Sequence, residues 1–291
     1  MAQNMRLLWV VLLLAGCDGN PFVEDGAQPD SADGKIYGED LGQQDIVMNS
    51  LIYDPVTQTL VINNIPFDGA TGENGEAEYA RIDALPNGFE VYDNVAGRSY
   101  FAVFRRSDSG YSQVGAVGTE TYIQYGFGGL TAQRLNAAVS MPRGEYVYSG
   151  EYAAIRTYDE AQPNSPNQLQ YVTGDVTMDV DVSDFDVTGA VEGIISNRIL
   201  YDENRNPIGA LDDYISLATA EIDFETDTIS SSAAFGVSFS DRANLTSGNW
   251  AAVFAGPNGE EIAGIVLLEG AAGDGADPGA VRESGVFIAL R

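Results

Sequence analysis

"AAVFAGPNGEEIAGIVLLEG", Ala251 to Gly270, places a Pro-Gly turn and two glutamates between two apolar runs. Pro257 presets φ for the second position of a turn, and Asn258 tolerates the position after it. Gly259 can supply a left-handed conformation if the turn needs one. The stretch therefore predicts a β-hairpin.

Glu260 and Glu261 begin the returning strand of this hairpin. Paired carboxylates can perform acid–base chemistry, but adjacent strand residues point to opposite faces, so these two are not expected to converge on one substrate. We expect both side chains to be exposed and to tolerate substitution. Gly256 and Gly264 mark places for a bulge or a close contact, where a larger side chain should be more damaging.

Short runs of β-branched and aromatic residues, separated by Gly, Asn, Asp or Pro, extend over the rest of the chain. Residues 41–140 are interpreted as a small N-terminal β domain that ends in a connection, Leu130 to Val139, with some helix formers. Residues 141–291 contain about eight longer runs, which suit an up-and-down antiparallel β-barrel with no exposed edge. The predicted fold class is all-β, and we expect the barrel to fold on its own.

The charge and composition of the chain exclude several functions. It has 43 Asp and Glu residues against 14 Lys and Arg residues, a net charge of -29, so a nucleic acid would be repelled. Such a surface is typical of a protein in salty water, and a basic protein partner is the alternative. The sequence has no histidine, the commonest general base and zinc ligand. We therefore expect no enzyme, no catalytic residues, no cofactor and no metal.

The N-terminus has the pattern of a lipoprotein signal. Arg6 precedes an apolar run from Leu7 to Leu14, which is too short to cross a bilayer as a helix. The residues that follow, Ala-Gly before the single cysteine Cys17, resemble a bacterial lipobox, where cleavage precedes acylation of the thiol with a chain such as palmitate. Residues 1–16 are interpreted as the signal peptide and 17–40 as a flexible acidic tether. The alternative is an ordinary signal peptide with an incidental cysteine.

A lipid on Cys17 would hold the protein in the bacterial cell envelope. We expect the outer membrane, at its surface or its periplasmic face, rather than the inner membrane. Asp18 satisfies the enteric rule for inner-membrane retention, but that rule is not general.

The hairpin also resembles the β-barrel domain of the transferrin-binding protein B family of lipoproteins. In that family an aromatic residue, Gly-Pro, an acidic residue and a glycine follow one another through a hairpin. The matching residues here are Phe254, Gly256, Pro257, Glu261 and Gly264. The resemblance implies a structural role for this motif.

Two more segments are similar to the same family. Met141 to Tyr152 has the Pro and Gly that precede a Tyr-x-Gly-x-aromatic pattern, with Gly150 as its glycine, and the chain ends in a run similar to the family's closing strand. The resemblance covers 141–291 and implies that the preceding residues form the family's handle domain. The family builds two such lobes, and this chain has room for one. The family captures host transferrin through variable loops, and no residue here can be assigned to those contacts.

Two other motifs suggest binding or catalysis. Ser107 to Gly110, "SDSG", contains the Asp-Ser-Gly triplet of aspartic proteases. Those enzymes need two copies in apolar sequence, so we interpret this single copy between two strand-like runs as a hairpin turn. Thr121 to Gly129, "TYIQYGFGG", clusters aromatics with glycines, and either packing or a binding patch fits it.

Two acidic segments raise the question of calcium. In Asp175 to Asp186, apolar residues alternate with Asp and Thr, which describes a barrel strand with a solvated face. Asp202 to Asp213 has the spacing of an EF-hand loop, but Pro207 replaces its essential glycine and the last ligand is not glutamate. We expect a polar loop between strands there.

Two classes of function remain. The first is a lipid-anchored binding protein that captures a protein or a small solute through its loops or its barrel mouth. The second is an envelope lipoprotein with a structural or assembly role and no soluble ligand.

Overall fold

A computed structural model describes residues 34–42, 46–69, 76–119, 121, 125–135, 139–159, 169–182, 189–271 and 280–291. Nearly all of these residues lie in β-strands or in the turns between them, which confirms the all-β fold class. Within the described residues, no helix has the length and apolar content needed to cross a membrane.

The N-terminal domain contains one antiparallel sheet of eight strands, with the spatial order β1-β8-β7-β6-β5-β4-β3-β2. Its elements are β1 (Lys35–Tyr37), a 3₁₀ helix (Gly38–Leu41), β2 (Ser50–Asp54), β3 (Thr59–Asn63), β4 (Glu76–Ala84), β5 (Glu90–Asn94), β6 (Tyr100–Arg106), β7 (Ser112–Thr119) and β8 (Gly129–Arg134). The sheet is curled, and the Gln133 side-chain amide on β8 reaches across to the carbonyl of Leu51 on β2, 3.3 Å away.

Two segments of this domain differ from the sequence interpretation. Lys35–Tyr37 was assigned to the flexible tether but pairs with β8, and Tyr37 is buried, so the ordered domain begins before residue 40. Leu130 to Arg134 was assigned to a connection with helix formers but forms β8. Leu130 and Ala132 are buried in the core, and this tertiary packing overrides the helix propensity of the segment.

The second domain is a closed barrel of eight strands, as the sequence predicts. Its strands are β9 (Gly144–Tyr158), β10 (Leu169–Val182), β11 (Gly189–Tyr201), β13 (Asp213–Asp223), β14 (Thr228–Ser238), β15 (Asn244–Ala255), β16 (Glu261–Ala271) and β17 (Ala280–Leu290). Each strand pairs antiparallel with the next, and β17 pairs with β9 to close the ring. A short strand, β12 (Pro207–Ala210), pairs with β11 outside the ring.

The barrel interior is packed with side chains. Large aromatic residues fill it, among them Tyr152, Trp250 and Phe287, all fully buried. Glycines make room for these rings: a Cβ at Gly264 would lie 2.2 Å from the ring of Phe287, and one at Gly285 would lie 2.1 Å from the Tyr152 hydroxyl. The close contact expected at Gly264 is thus made by a side-chain ring.

One outer wall of the barrel is covered by the N-terminal domain. Val253, Ile265 and Val286 point outward from β15, β16 and β17 and share one buried apolar cluster with Val114 and Leu130 of the N-terminal domain. Both faces of β16 are therefore buried, which explains why its sequence is an apolar run and does not alternate. The two domains share a hydrophobic core at this interface.

This wall bears on the expectation that the barrel folds alone. We expect the fragment 141–291 to give a β-type circular dichroism spectrum, because the ring is closed around its own core. With the outer apolar wall exposed to water, it should melt at a lower temperature than the full chain and should self-associate. Thermal melts and light scattering on both proteins test this. A monomeric fragment with the melting temperature of the full chain would contradict it.

Candidate functional site

The hairpin turn of Ala251 to Gly270 lies at the junction of the two domains. Gly256 and Gly259 have φ values of 84° and 69°, in the left-handed region that favours glycine. The backbone N–H of Ser140, in the connection between the domains, donates to the carbonyl of Pro257 at 3.0 Å. From the barrel interior, the Tyr148 hydroxyl donates to the carbonyl of Gly259. The turn is held from outside and from inside the barrel.

The two glutamates of the turn have different surroundings. Glu260 stays near the surface and accepts hydrogen bonds from the backbone N–H of Asn258 at 2.9 Å and from its side-chain amide at 2.7 Å. These bonds hold the pKa of the Glu260 carboxyl below its ordinary value. Glu260 is the turn residue that the sequence predicts.

The expectation that Glu261 is exposed is wrong. Glu261 is 2% exposed, because the face of β16 on which it lies is covered by the N-terminal domain. The Ser112 hydroxyl donates to its carboxylate at 2.6 Å, and the Ser109 hydroxyl donates to the other carboxylate oxygen. The opposite-face argument was correct for the direction of the two side chains, but it could not show that both faces are covered.

The same contact gives "SDSG" a structural role. The motif forms the β6–β7 hairpin turn, as predicted, with the N–H of Gly110 bonded to the carbonyl of Ser107 at 2.9 Å. Its Ser109 reaches the barrel at Glu261. A second polar contact between the domains joins Arg134 and Asp227, whose side chains are 3.5 Å apart and largely buried. Apolar packing between the domains is therefore fixed in position by hydrogen bonds.

Four charged side chains lie inside the barrel. The carboxylate of Glu283 on β17 accepts from Arg156 on β9 at 2.7 Å and from Arg198 on β11, and Arg198 also pairs with Asp213 on β13. Tyr152 donates to Glu283 at 2.6 Å. Two positive and two negative charges make the network neutral, and all four side chains are at most 3% exposed.

The network fixes the ionised state of Glu283. Burial by itself raises the pKa of this carboxyl, but Arg198 and Arg156 outweigh burial and bring the pKa down to about 2. The network ties four strands around the barrel and occupies part of its interior. Sequence reasoning missed it. A signal was present for two of its residues, because Arg156 and Glu283 fall in phase with the inward apolar positions of their strands. Arg198 is out of phase with Val191 and Ile195, and an irregularity of β11 between Ser196 and Ile199 turns it inward.

An open groove lies on the outer wall of the barrel, across β9, β10, β11 and β13. Its volume is about 450 Å³. Four of the side chains that line it are carboxylates, Glu145, Asp179, Asp181 and Glu192, and a fifth, Val147, is apolar and 59% exposed.

The described parts of the two acidic segments are a barrel strand and a turn with a short strand, and residues 183–186 lie outside the described residues. Val176, Met178, Val180 and Val182 point into the core while the residues between them are exposed, as the alternation predicts. In Asp202 to Asp213, the carboxylate of Asp202 accepts from Asn206 and closes a turn before β12. Within the described part of the chain, no group of three or more acidic or cysteine side chains is arranged to hold a metal.

The remaining sequence candidates are only partly described. In the segment Thr121 to Gly129, Tyr125 lies against the guanidinium of Arg282, 4.6 Å from ring centroid to carbon, and Phe127 packs on the core of the N-terminal domain. These two aromatics thus serve in packing. Cys17 lies outside the described residues. A Cβ at Gly150 would lie 2.0 Å from the carbonyl oxygen of Ile288, so this motif glycine permits close strand pairing.

Replacement of the two turn glutamates should have unequal effects. Glu261→Gln places an amide N–H₂ group against one of the two hydroxyl donors and removes the charge that both hydroxyls stabilise, and should lower the free energy of unfolding by about 1–3 kcal/mol. Glu260→Gln, the matched control, should change it by no more than about 0.5 kcal/mol because the side chain is near the surface. Urea denaturation of both variants measures the difference. Equal effects would mean that Glu261 is not buried in the folded protein.

The charge network should make the free energy of unfolding depend on pH. Because the folded-state pKa of Glu283 lies below its ordinary value of 4.5, its contribution is fully present above pH 4.5 and is lost as the pH falls towards 2. Glu283→Gln should be destabilised by about 3–5 kcal/mol at pH 7, since two buried guanidinium groups lose their contact with this carboxylate and the network is left with a net positive charge. Between pH 2 and pH 7, the free energy of unfolding should change less with pH in the variant than in the natural chain. An equal change with pH in both proteins would contradict this role of Glu283.

Comparisons with known proteins give matches among solved structures alone. No protein-family model matches the chain. No curated protein matches it. Matched structures include a mutant of transferrin-binding protein B from Actinobacillus pleuropneumoniae H49, with 15% identity over 64% of this chain and 78% of that one and a TM-score of 0.34.

Two further matches have similar values. A mutant of transferrin-binding protein B from Haemophilus parasuis Hp5 has 16% identity over 84% of this chain, with a TM-score of 0.42, and this chain spans 44% of its length. A structure named only as a surface lipoprotein has 13% identity over 85% of this chain and 99% of that one, with a TM-score of 0.34. The solved structures that match this chain thus include members of the family named from its sequence.

Proposed function

We propose that this protein is a lipid-anchored binding protein of the bacterial envelope that captures a protein partner on its outer surface. The observation that carries the proposal is the packed barrel interior. In the described part of the barrel, inward positions are filled by aromatic rings and by the ion network around Glu283. Binding is therefore assigned to the loops, the barrel mouth and the outer wall.

A protein fits these surfaces better than a small solute. Small-molecule sites are usually concave and enclose most of the ligand surface. The groove on the outer wall is open and lined by carboxylates, and the whole chain has a net charge of -29. Capture of a small solute by the barrel mouth is the alternative. The proposal contains no catalytic step.

Capture can be tested with the protein immobilised through its C-terminus and exposed to growth medium. A partner at close to one copy per chain, retained by the folded protein and absent from a heat-unfolded control, is the expected result. The competing function, an envelope lipoprotein with a structural role, predicts that no soluble partner is retained. Recovery of nothing above the control from media of several compositions would contradict the binding proposal.

The lipid anchor is assigned to Cys17 and places the protein in the envelope, with the outer membrane as the proposed location. Cys17→Ser should release the protein into the aqueous fraction or block its processing, because the thiol that would be acylated is lost. Detergent partitioning and gel mobility measure this, with Ser140→Ala as a control that leaves the thiol in place. A Cys17→Ser protein that still partitions into detergent with unchanged mobility would contradict the anchor.

A further inference from the structure

We propose that the groove across β9, β10, β11 and β13 docks an extended, basic segment of a protein partner. This inference rests on the proposed binding function and names the surface and the chemistry of the partner. The segment would present a basic and an apolar side chain at alternate positions on one of its faces.

The groove lies on a free wall of the barrel. The N-terminal domain contacts the barrel mainly through β9, β15, β16 and β17. The outward side chains of β10, by contrast, are exposed from Asp175 to Asp181. The volume of about 450 Å³ is within the range of about 300–1,000 Å³ found for ligand sites, and it is enough for a few side chains of a partner.

The strand register places like charges opposite each other in this groove. Asp181 pairs with Glu145 across β10 and β9, and Asp179 pairs with Glu192 across β10 and β11. Like charges directly opposite each other destabilise a sheet. Among the ion pairs of the described residues, none includes these four carboxylates. Cations from a partner would remove this repulsion, so the charge pattern favours a basic segment.

An apolar side chain lies beside the two acidic pairs. Val147 is opposite Asp179 in the register, on the side away from Glu192, and is 59% exposed. It lies two residues from Glu145 on the same strand face, a separation of about 7 Å. Alternate side chains of an extended peptide have the same spacing, so a leucine of the partner could cover Val147 while the lysine two positions away meets Glu145 and Asp181.

The test uses the full chain in detergent and three labelled peptides of twelve residues. The first repeats Lys-Ser-Leu-Ser, the second repeats Lys-Ser-Ser-Ser, and the third repeats Glu-Ser-Leu-Ser. Fluorescence anisotropy should show saturable binding of the first peptide, several-fold weaker binding of the second, and none of the third. Equal affinity for the first two peptides would overturn the apolar part of the proposal.

Variants then locate the binding. Glu145→Gln with Glu192→Gln should weaken binding of the first peptide about tenfold. Glu76→Gln with Glu78→Gln is the matched control, because it removes the same charge from β4 of the N-terminal domain, and it should change affinity less than about twofold. Equal weakening of peptide binding by both double variants would mean that the total charge of the protein attracts the peptide. That result would overturn the groove as the docking site. Saturable binding of calcium alone that the first pair abolishes would also overturn it, in favour of a cation.

The failure of this inference differs from the failure of the proposed function. If a partner is captured from growth medium and the groove variant retains it fully, the groove is wrong and the binding function stands. If no partner is captured but the peptides and variants behave as described, the groove binds basic segments as proposed and the capture of a soluble partner from growth medium is contradicted.

Discussion

The carboxylate of Glu261 is the contact that ties the two domains into one arrangement. It is buried between them and accepts hydrogen bonds from the hydroxyl groups of Ser109 and Ser112 in the N-terminal domain. Removal of a carboxylate from water is unfavourable, so this contact does not drive association by itself. The apolar cluster that includes Val253 and Ile265 supplies the driving force, and the hydrogen bonds select one position among the many in which two apolar surfaces could meet.

This arrangement determines which surfaces can meet another molecule. The N-terminal domain covers the wall of β15, β16 and β17, and side chains fill the interior. Among the described residues, the wall of β10, β11 and β13 and the turns at the barrel ends remain accessible to another molecule. A closed barrel with a filled interior is a rigid support, so its binding residues need little ordering before they meet a partner. The same rigidity explains why a groove on a sheet can be a defined surface although it is open.

The sequence predicted the parts of the fold that depend on local pattern. Turn residues located the hairpin at Gly256, and alternation in β10 assigned the inward face of Val176 and Met178 correctly. It failed where a contact joins distant segments. The burial of Glu261 depends on Ser109 and Ser112, about 150 positions away in the chain, and no local pattern reports such a contact. For the same reason the sequence predicts a tether at Lys35–Tyr37, since this three-residue strand gains its stability from pairing with β8 and from the burial of Ile36 and Tyr37 among distant segments.

The ion network inside the barrel has a consequence for how this protein can vary. Loss of any one of Arg156, Arg198, Asp213 or Glu283 leaves an uncompensated charge in the buried interior, whereas replacement of the whole set by well-packed apolar residues can be neutral or stabilising. Each single step away from the present set is therefore unfavourable even where the end point is not. Related chains should inherit these four positions as a unit or exchange them as a unit, and a barrel that carries only some of them should carry a compensating charge on a neighbouring strand.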